Sequence, residues 1–445
     1  MTVETIRGAF SLCPVCYARI PASYEIIGDD VYMKKTCREH GNFKTVTWRG
    51  IKDNDMRAWG APGAGLSEGQ CPPCPDKCGL CDAHIQDTCC IILEVTERCN
   101  LNCTYCLAGD RGEPETPPLE TIKGWISFLA QQGKSFIQLS GGEPTLRDDL
   151  PEIVRFAAQC GFEYIQLNSN GIRLAEDENY VRRLAEAGLS FVFMQFDGTN
   201  DDIYLKLRGR PLYSQKRKAV DVCAKYNLGV TFVSTVVPGV NDDNIGRLIS
   251  LAVSLSPMVR GVHLHPVGYI GRFPSIPGDD MRITLPELLR LIEKQTQRRV
   301  TREDFSASGC DHPLCGFHGA FVVMPEGLRS LKPLPGNTGC CAPPAPNAAA
   351  TNCSPGMAEK SQRFVGRRWK RRTPCCETRG KPADISTLEG FLARVASHGF
   401  TITAMAFQDS FNVDLERLRQ CSLHVYSDGK IMPLCVRYGL LQSSS

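Results

Sequence analysis

Six short apolar runs punctuate the middle of the chain: Ile91–Thr96, Phe136–Leu139, Tyr164–Asn168, Phe191–Phe196, Val230–Val237 and Gly261–Val267. Each has the length and β-branched or aromatic bias of a buried strand, and none approaches the length of a membrane span. Between them lie Leu119–Gln132, Asp149–Cys160, Glu176–Ala187, Gln215–Tyr226 and Asn244–Leu255, whose apolar positions fit helices. Strand–helix alternation implies an α/β fold with a parallel sheet. Periodicity fits either a partial (β/α)6 barrel or a doubly wound sheet.

The pattern changes on both sides of this core, which we place at residues 91–300. Residues 1–50 read as a small ribbon-like unit, with a Gly28-Asp29-Asp30 turn inside the strand-like stretch Ala22–Met33. Residues 51–90 combine a Gly- and Ala-rich linker with a cysteine-rich segment. Residues 301–330 carry two further cysteines. Residues 331–385, rich in Pro, Cys and Arg, read as a flexible insertion. The unit 386–445 holds an expected helix, Leu388–His398, and an expected hairpin, Cys421–Tyr438, around Asp428-Gly429.

At 445 residues the chain is long for one ordinary domain, and 42% hydrophobic with 22% charged residues marks a globular protein. A net charge of +3 gives no general affinity for polyanions, so no nucleic acid is expected. The first residues lack the apolar stretch of a secretion signal, and the expected location is the cytoplasm. The 23 cysteines decide more than any of this. They come in tight clusters, which in a reducing compartment means metal or iron–sulfur ligation.

The sharpest cluster is Cys99, Cys103 and Cys106, spaced C-x3-C-x2-C directly after the first core strand. Three thiolates on one loop can hold three irons of a [4Fe–4S] cluster and leave the fourth open to a small molecule. A zinc knuckle would use similar spacing. Ser140-Gly141-Gly142-Glu143-Pro144 follows the second strand. Its glycines allow close approach of a ligand to the backbone, and the Glu143 carboxylate can receive an ammonium group. Both loops lie at the carboxyl ends of parallel strands, where such folds bind ligands. Asn168-Ser169-Asn170-Gly171, Gln195-Phe196-Asp197-Gly198, and His263, His265 and Arg272 end later strands. Ligand contact and plain turn chemistry both suit them.

Cys74, Cys78 and Cys81 repeat the C-x3-C-x2-C spacing and could carry a second cluster. Cys310, Cys315, Cys421 and Cys435 could carry a third if the fold brings them together. Cys13, Cys16, Cys37 and His40 have metal-ribbon spacing, suited to zinc or a mononuclear iron. Cys160 and Cys223 fit helical core positions. Cys340-Cys341 and Cys375-Cys376 are vicinal pairs that could form a redox pair, pass sulfur or bind a soft ion. The basic run Arg363–Arg372 could make weak contact with an anionic membrane surface.

Together the Cys99–Cys106 and Gly141–Glu143 motifs resemble the radical S-adenosylmethionine (SAM) superfamily over residues 91–270. The resemblance implies a partial (β/α)6 barrel, a [4Fe–4S] cluster with an open iron on Cys99, Cys103 and Cys106, and SAM bound at that iron. It places Tyr105 beside the adenine and Gly141, Gly142 and Glu143 at the methionyl amine; Asn170 and Gln195, at later strand ends, are expected to contact SAM or substrate. Reductive cleavage of SAM by an electron from a flavodoxin- or ferredoxin-type donor would give a 5′-deoxyadenosyl radical that abstracts a substrate hydrogen. The full order of motifs looks like the branch containing archaeal tetraether lipid synthases, formerly labelled pterin dimethyltransferases. That order is the C-P-x-C start, Lys35-Thr36-Cys37-Arg38-Glu39-His40-Gly41, the radical core, Cys310–Cys315 and Pro433-Leu434-Cys435. The Pro-rich insertion departs from that branch and points to a related sister branch with selenocysteine-containing members. The cysteine groups outside the core would serve one or two auxiliary [4Fe–4S] clusters. The expected reaction is hydrogen abstraction from an unactivated carbon, extending to C–C coupling on lipid chains. Radical methyl or sulfur transfer to a small heterocycle or peptide is the alternative. An electron carrier without catalysis fits poorly, because it needs no SAM pocket.

Overall fold

The computed structural model describes residues 4–53, 55–56, 58–59, 80, 84–109, 115–332, 357–370, 385–427 and 429–440. The N-terminal unit is a four-stranded antiparallel sheet of β1 (Glu4–Leu12), β2 (Arg19–Ile27), β3 (Asp30–Cys37) and β4 (Gly41–Arg49), in that order. Gly28, at φ +70, makes the tight β2–β3 connection, a backbone conformation that side chains disfavour. The buried cluster of this sheet's own is small: Cys13, Ile20 and Cys37, with Phe43 packed against them. Tyr24, Val31, Met33 and Trp48 join the main core of the protein instead.

That main core surrounds a sheet whose centre is six parallel strands. They are β5 (Cys90–Thr96), β6 (Phe136–Gly141), β7 (Tyr164–Ser169), β8 (Phe191–Gln195), β9 (Gly229–Val236) and β10 (Val259–Pro266), neighbours in sequence order. Helices α1 (Leu119–Gln131), α2 (Leu150–Gln159), α3 (Ile172–Glu176), α4 (Glu178–Ala187), α5 (Asp201–Arg208), α6 (Tyr213–Lys225) and α7 (Ile245–Ser254) occupy the connections. Ile91, Leu93 and Val95 of β5 lie in the core with Ile122, Ile126 and Leu129 of α1. The helix expected from Glu176 begins two residues later, because the Asp177 side chain caps the Tyr180 N–H. Gly188, at φ +106, ends it.

The later segments extend this sheet at both edges. After α8 (Leu285–Gln295) come β11 (Ser306–Ala307), β12 (Gly316–Met324) and β13 (Gly327–Ser330). Next along the chain are α9 (Met357–Trp369), α10 (Leu388–His398), β14 (Gly399–Met405), α11 (Leu415–Arg419), β15 (Leu423–Ser427), β16 (Lys430–Pro433) and α12 (Leu434–Gly439). β14 pairs parallel with β10, and β15 pairs parallel with β5. The final segment, expected as a separate unit, thus adds β14 at one edge of the six-stranded core and β15 followed by β16 at the other.

Two expectations are corrected here. The hairpin expected to run to Tyr438 stops at Pro433, where the chain turns into α12. Within the stretch expected to be flexible, residues 357–369 form α9, packed across the amino ends of the strands. The Gln362 amide donates to Ser135 Oγ at 2.7 Å, and a Cβ at Gly366 would lie 2.5 Å from the Tyr164 ring. Apolar packing at Trp369 explains why this basic segment is ordered. No helix among the described residues is long and apolar enough to cross a membrane.

Candidate active site

Three cysteines stand on the loop after β5. Cys99 is exposed, Cys106 half-buried and Cys103 buried. Although Cys99 keeps an open face, the surrounding chain desolvates its thiol and raises it to about 11, aided by Glu143, Cys103 and Cys106, so the three sulfurs share one electrostatic neighbourhood. The loop is tied from three sides. Cys106 and Arg272 exchange backbone hydrogen bonds at 3.0 and 2.9 Å, and Arg272 Nη1 donates to the Cys103 carbonyl. The Thr104 N–H and hydroxyl donate to the last carbonyls of α5, Leu207 and Lys206. The third tie is Arg208, whose Nη1 donates to the Tyr105 carbonyl at 3.4 Å. Arg208, at the end of α5, makes a two-point contact with Asp197 at 2.6 and 2.7 Å, and both are buried. Burial opposes the Arg208 charge, but Asp197 and Cys103 more than offset it and raise its basicity.

The two glycines after β6 solve a packing problem. A Cβ on Gly141 would meet the Thr96 carbonyl oxygen at 2.0 Å, and one on Gly142 would meet the Arg98 carbonyl oxygen at 2.2 Å. Their bareness lets the end of β6 lie against the base of the cysteine loop, where the Gly142 and Glu143 N–H groups donate to Thr96 and Arg98. Glu143 differs from its expected form. Its carboxylate is not presented to a ligand alone; it is a buried bracket. Oε1 accepts from the Thr145 N–H, the Thr145 hydroxyl at 2.5 Å and the Ser169 hydroxyl at 2.8 Å. Oε2 accepts from the Asn170 N–H at 2.6 Å.

Asn170 in turn donates from Nδ2 to Asn100 Oδ1 at 2.7 Å, which links β7 back to the cysteine loop. The fully buried Lys216 ammonium donates to the Asn170 carbonyl and reaches Gln195 Oε1 at 3.3 Å. The Gln195 amide lies between Lys216 and Arg208. Burial lowers the Lys216 pKa to about 8. Tyr105 packs edge-to-face on Tyr269 with ring centroids 6.3 Å apart. Cys99, Tyr105, Glu143, Asn170 and Gln195 therefore all border one cavity.

That cavity, about 660 Å³, runs from the cysteine loop down the inside of the sheet. Aromatic and aliphatic groups form much of its wall, among them Ile92, Phe136, Phe193, Val233 and Trp369. A polar band crosses it. Asn168 donates to Gln138 at 3.2 Å, and Gln138 donates to Cys90 Sγ at 2.9 Å. On the other wall His263 Nδ1 meets Thr403 Oγ1 at 2.6 Å, and His265 Nδ1 donates to the Met405 carbonyl at 3.2 Å. Burial lowers His265 to about 4, so its imidazole is neutral at physiological pH.

Sequence reasoning missed Asp197, Arg208 and Lys216. Asp197 looked like half of an Asp-Gly turn, and α5 carries no strong apolar pattern, so nothing local marked the pair. Cys89 and Cys90 were also left unassigned, yet both line the cavity.

Of Cys310, Cys315, Cys421 and Cys435, the structure brings Cys315, Cys421 and Cys435 into one electrostatic neighbourhood. Burial raises the Cys435 thiol to about 12, with Cys315 adding to the effect, and Cys435 and Cys315 act likewise on Cys421. Arg417 Nε donates to Cys315 Sγ at 3.4 Å, and the Gln408 N–H donates to Cys435 Sγ at 3.3 Å. Cys310 instead shares a hydrogen bond with Cys89. Asp311 holds the two groups side by side by accepting from the Ser422 N–H and hydroxyl. Cys74, Cys78 and Cys81 lie outside the described residues, as do Cys340-Cys341 and Cys375-Cys376.

At the N-terminus, Cys13, Cys16, Cys37 and His40 place their ligand atoms within 4.8 Å of one another, the only such set among the described residues. His40 Nδ1 faces Cys37 Sγ at 3.5 Å and Cys13 Sγ at 3.7 Å. This donor set suits a tetrahedral ion. The ribbon is held to the rest of the protein by Lys35, whose buried ammonium donates to Ser11 Oγ, Leu12 O and Ser410 O. Arg7 also pairs with Asp414 and Glu416. Because these contacts do not involve the ligands, Cys37→Ser is expected to bind one metal ion fewer per chain and to lower the melting temperature while the rest of the fold is kept. Metal per chain, thermal unfolding and circular dichroism measured on one preparation check this.

Comparison with known proteins agrees with the geometry. The radical SAM superfamily pattern matches residues 93–252, and the HMPTM N-terminal zinc ribbon domain matches residues 6–49. A 7,8-dihydro-6-hydroxymethylpterin dimethyltransferase from Methanocaldococcus jannaschii is 38% identical over 67% of this chain, which spans 60% of that relative's length. A GTP 3′,8-cyclase from Chlorobaculum tepidum is 29% identical over 54% of the chain and 71% of the relative. The crystal structure of Streptococcus suis SuiB bound to S-adenosylmethionine aligns with 14% identity and a TM-score of 0.40, over 48% of this chain and 49% of that one.

Proposed function

We propose that the chain is a radical SAM enzyme and that it abstracts hydrogen from an unactivated carbon of a substrate with a long apolar portion, such as a lipid chain. C–C coupling is the outcome this chemistry would serve. One observation supports the reading above others: the cavity starts at the cysteine loop and continues past Phe193 and Val233 to Trp369.

In this reading Cys99, Cys103 and Cys106 hold three irons of a [4Fe–4S] cluster. Cluster and SAM, when bound, supply the 5′-deoxyadenosyl radical that takes the hydrogen. The Gly141–Glu143 segment, Tyr105, Asn170 and Gln195 hold SAM. Asp197 and Arg208 keep the loop in place, and the apolar wall keeps water from the radical. One auxiliary cluster would draw on Cys74, Cys78 and Cys81 with one further thiolate, and a second on the thiols near Asp311. A one-electron donor of flavodoxin or ferredoxin type would reduce the radical cluster. The ribbon would carry zinc.

A second reading is radical methyl transfer to a small heterocycle. It is favoured by the name of the Methanocaldococcus relative and by the polar band of Gln138, Asn168 and His263. Deuterium tracing separates the two. Reconstituted enzyme is given SAM and dithionite with perdeuterated acyl lipid or with 6-hydroxymethyl-7,8-dihydropterin. The first reading expects deuterium from the acyl chain in 5′-deoxyadenosine. S-adenosylhomocysteine formed alongside a methylated pterin, with no deuterium transfer from lipid, would overturn it.

A further inference from the structure

Helix α9 comes from the stretch whose sequence promised least, and it carries a residue of the cavity wall. Trp369, its last residue, is 6% exposed and sits at the base of the cavity, remote from the cysteine loop along the strands. Its ring packs on Phe193 at 5.2 Å and edge-on to Phe191 at 5.7 Å. Its Nε1 donates to Thr401 Oγ1 at 2.9 Å, which fixes the ring angle. The carbonyl of the preceding residue, Arg368, accepts from the buried Arg260 side chain at 2.6 Å, and Gly366 lets the helix axis come down onto Tyr164.

The layers above Trp369 show what the indole terminates. Thr401, Thr403 and Met405 are alternate residues on β14, and they bond in turn to Trp369, His263 and His265. Phe193 touches both Trp369 and His263. An apolar chain that entered from the cysteine loop would pass the His265 and His263 layers and then meet the indole. In a packed interior such a ring is a hard boundary, because its hydrogen bond and two aromatic neighbours leave it no alternative position.

We propose that Trp369 is the floor of the substrate cavity and sets the longest apolar segment the enzyme accepts. This rests on the reading of the cavity as an apolar substrate site. The substrate class is then a chain or branch of limited length beyond its reacting carbon, with α9 as the specificity element.

The test uses SAM-bound holoenzyme and straight-chain alcohols from hexanol to hexadecanol, displacing the fluorescent probe 1-anilinonaphthalene-8-sulfonate. Each methylene that finds room in the cavity should tighten binding about fourfold. In the wild type this gain should stop at one chain length. In Trp369→Ala it should continue for several further carbons, and in Trp369→Phe, which keeps a ring and guards against loss of the helix, for fewer. The same cut-off in all three proteins would overturn the floor assignment. Alcohols that bind the wild type with no dependence on length, or not at all, would overturn the apolar-site reading and the floor with it.

Discussion

Asp197→Ala is expected to destabilise the protein by about 3–5 kcal/mol, the usual cost of leaving one member of a buried ion pair uncompensated. Arg208 has 4% side-chain exposure and Asp197 none, so water cannot replace the lost carboxylate. Asp197 Oδ1 also accepts from the Thr235 N–H at 3.1 Å, and its carbonyl accepts from Asn241 at 2.9 Å. The consequence reaches the site because Arg208 Nη1 also contacts the Tyr105 carbonyl at 3.4 Å. A released Arg208 would loosen the cysteine loop, and iron retained after gel filtration should fall with the stability. Denaturant unfolding of Asp197→Ala, Arg208→Ala and the double variant checks the pairing. The double variant should cost less than the sum of the singles. Additive effects would show that the pair is not coupled.

Glu143→Ala should have the second largest effect. Removing the carboxylate strands the Asn170 N–H and the Thr145 N–H in a site with almost no water access, which costs about 1–3 kcal/mol for each unsatisfied donor. Asn170 would then lose its backbone N–H anchor, and its contact with Asn100 on the cysteine loop would loosen, although Lys216 still holds its carbonyl. Both stability and SAM affinity should drop, read by unfolding and by calorimetric titration with SAM. Glu143→Gln keeps the volume but turns an amide donor toward existing donors, so it should recover little. A Glu143→Ala protein within about 0.5 kcal/mol of wild type would behave like a surface substitution and contradict the bracket.

The strand–helix alternation and the cysteine loop were legible because both are local. Strands of a covered parallel sheet are continuous apolar runs, and C-x3-C-x2-C is a spacing on one loop. The partners of those residues were not legible. Asp197 finds Arg208 only through α5, and Lys216 reaches Asn170 across the start of α6. β14 and β15 are ordinary apolar runs whose placement on opposite edges of one sheet depends on long-range pairing. Glu143 was identified as a site residue, but its carboxylate serves β7 first, because backbone donors at the end of that strand need an acceptor. The segment around α9 was misread because basic composition and nearby proline outweighed one buried tryptophan.

The central claim is that the Cys99–Cys106 loop carries a cluster that cleaves SAM. The most direct measurement is 5′-deoxyadenosine released from SAM under dithionite by anaerobically reconstituted wild type and by Cys103→Ala, with iron and sulfide counted on the same samples. Nucleoside release by the wild type that vanishes in Cys103→Ala, together with a loss of iron, is the predicted result. Equal release by both proteins would contradict the assignment of the radical cluster to this loop.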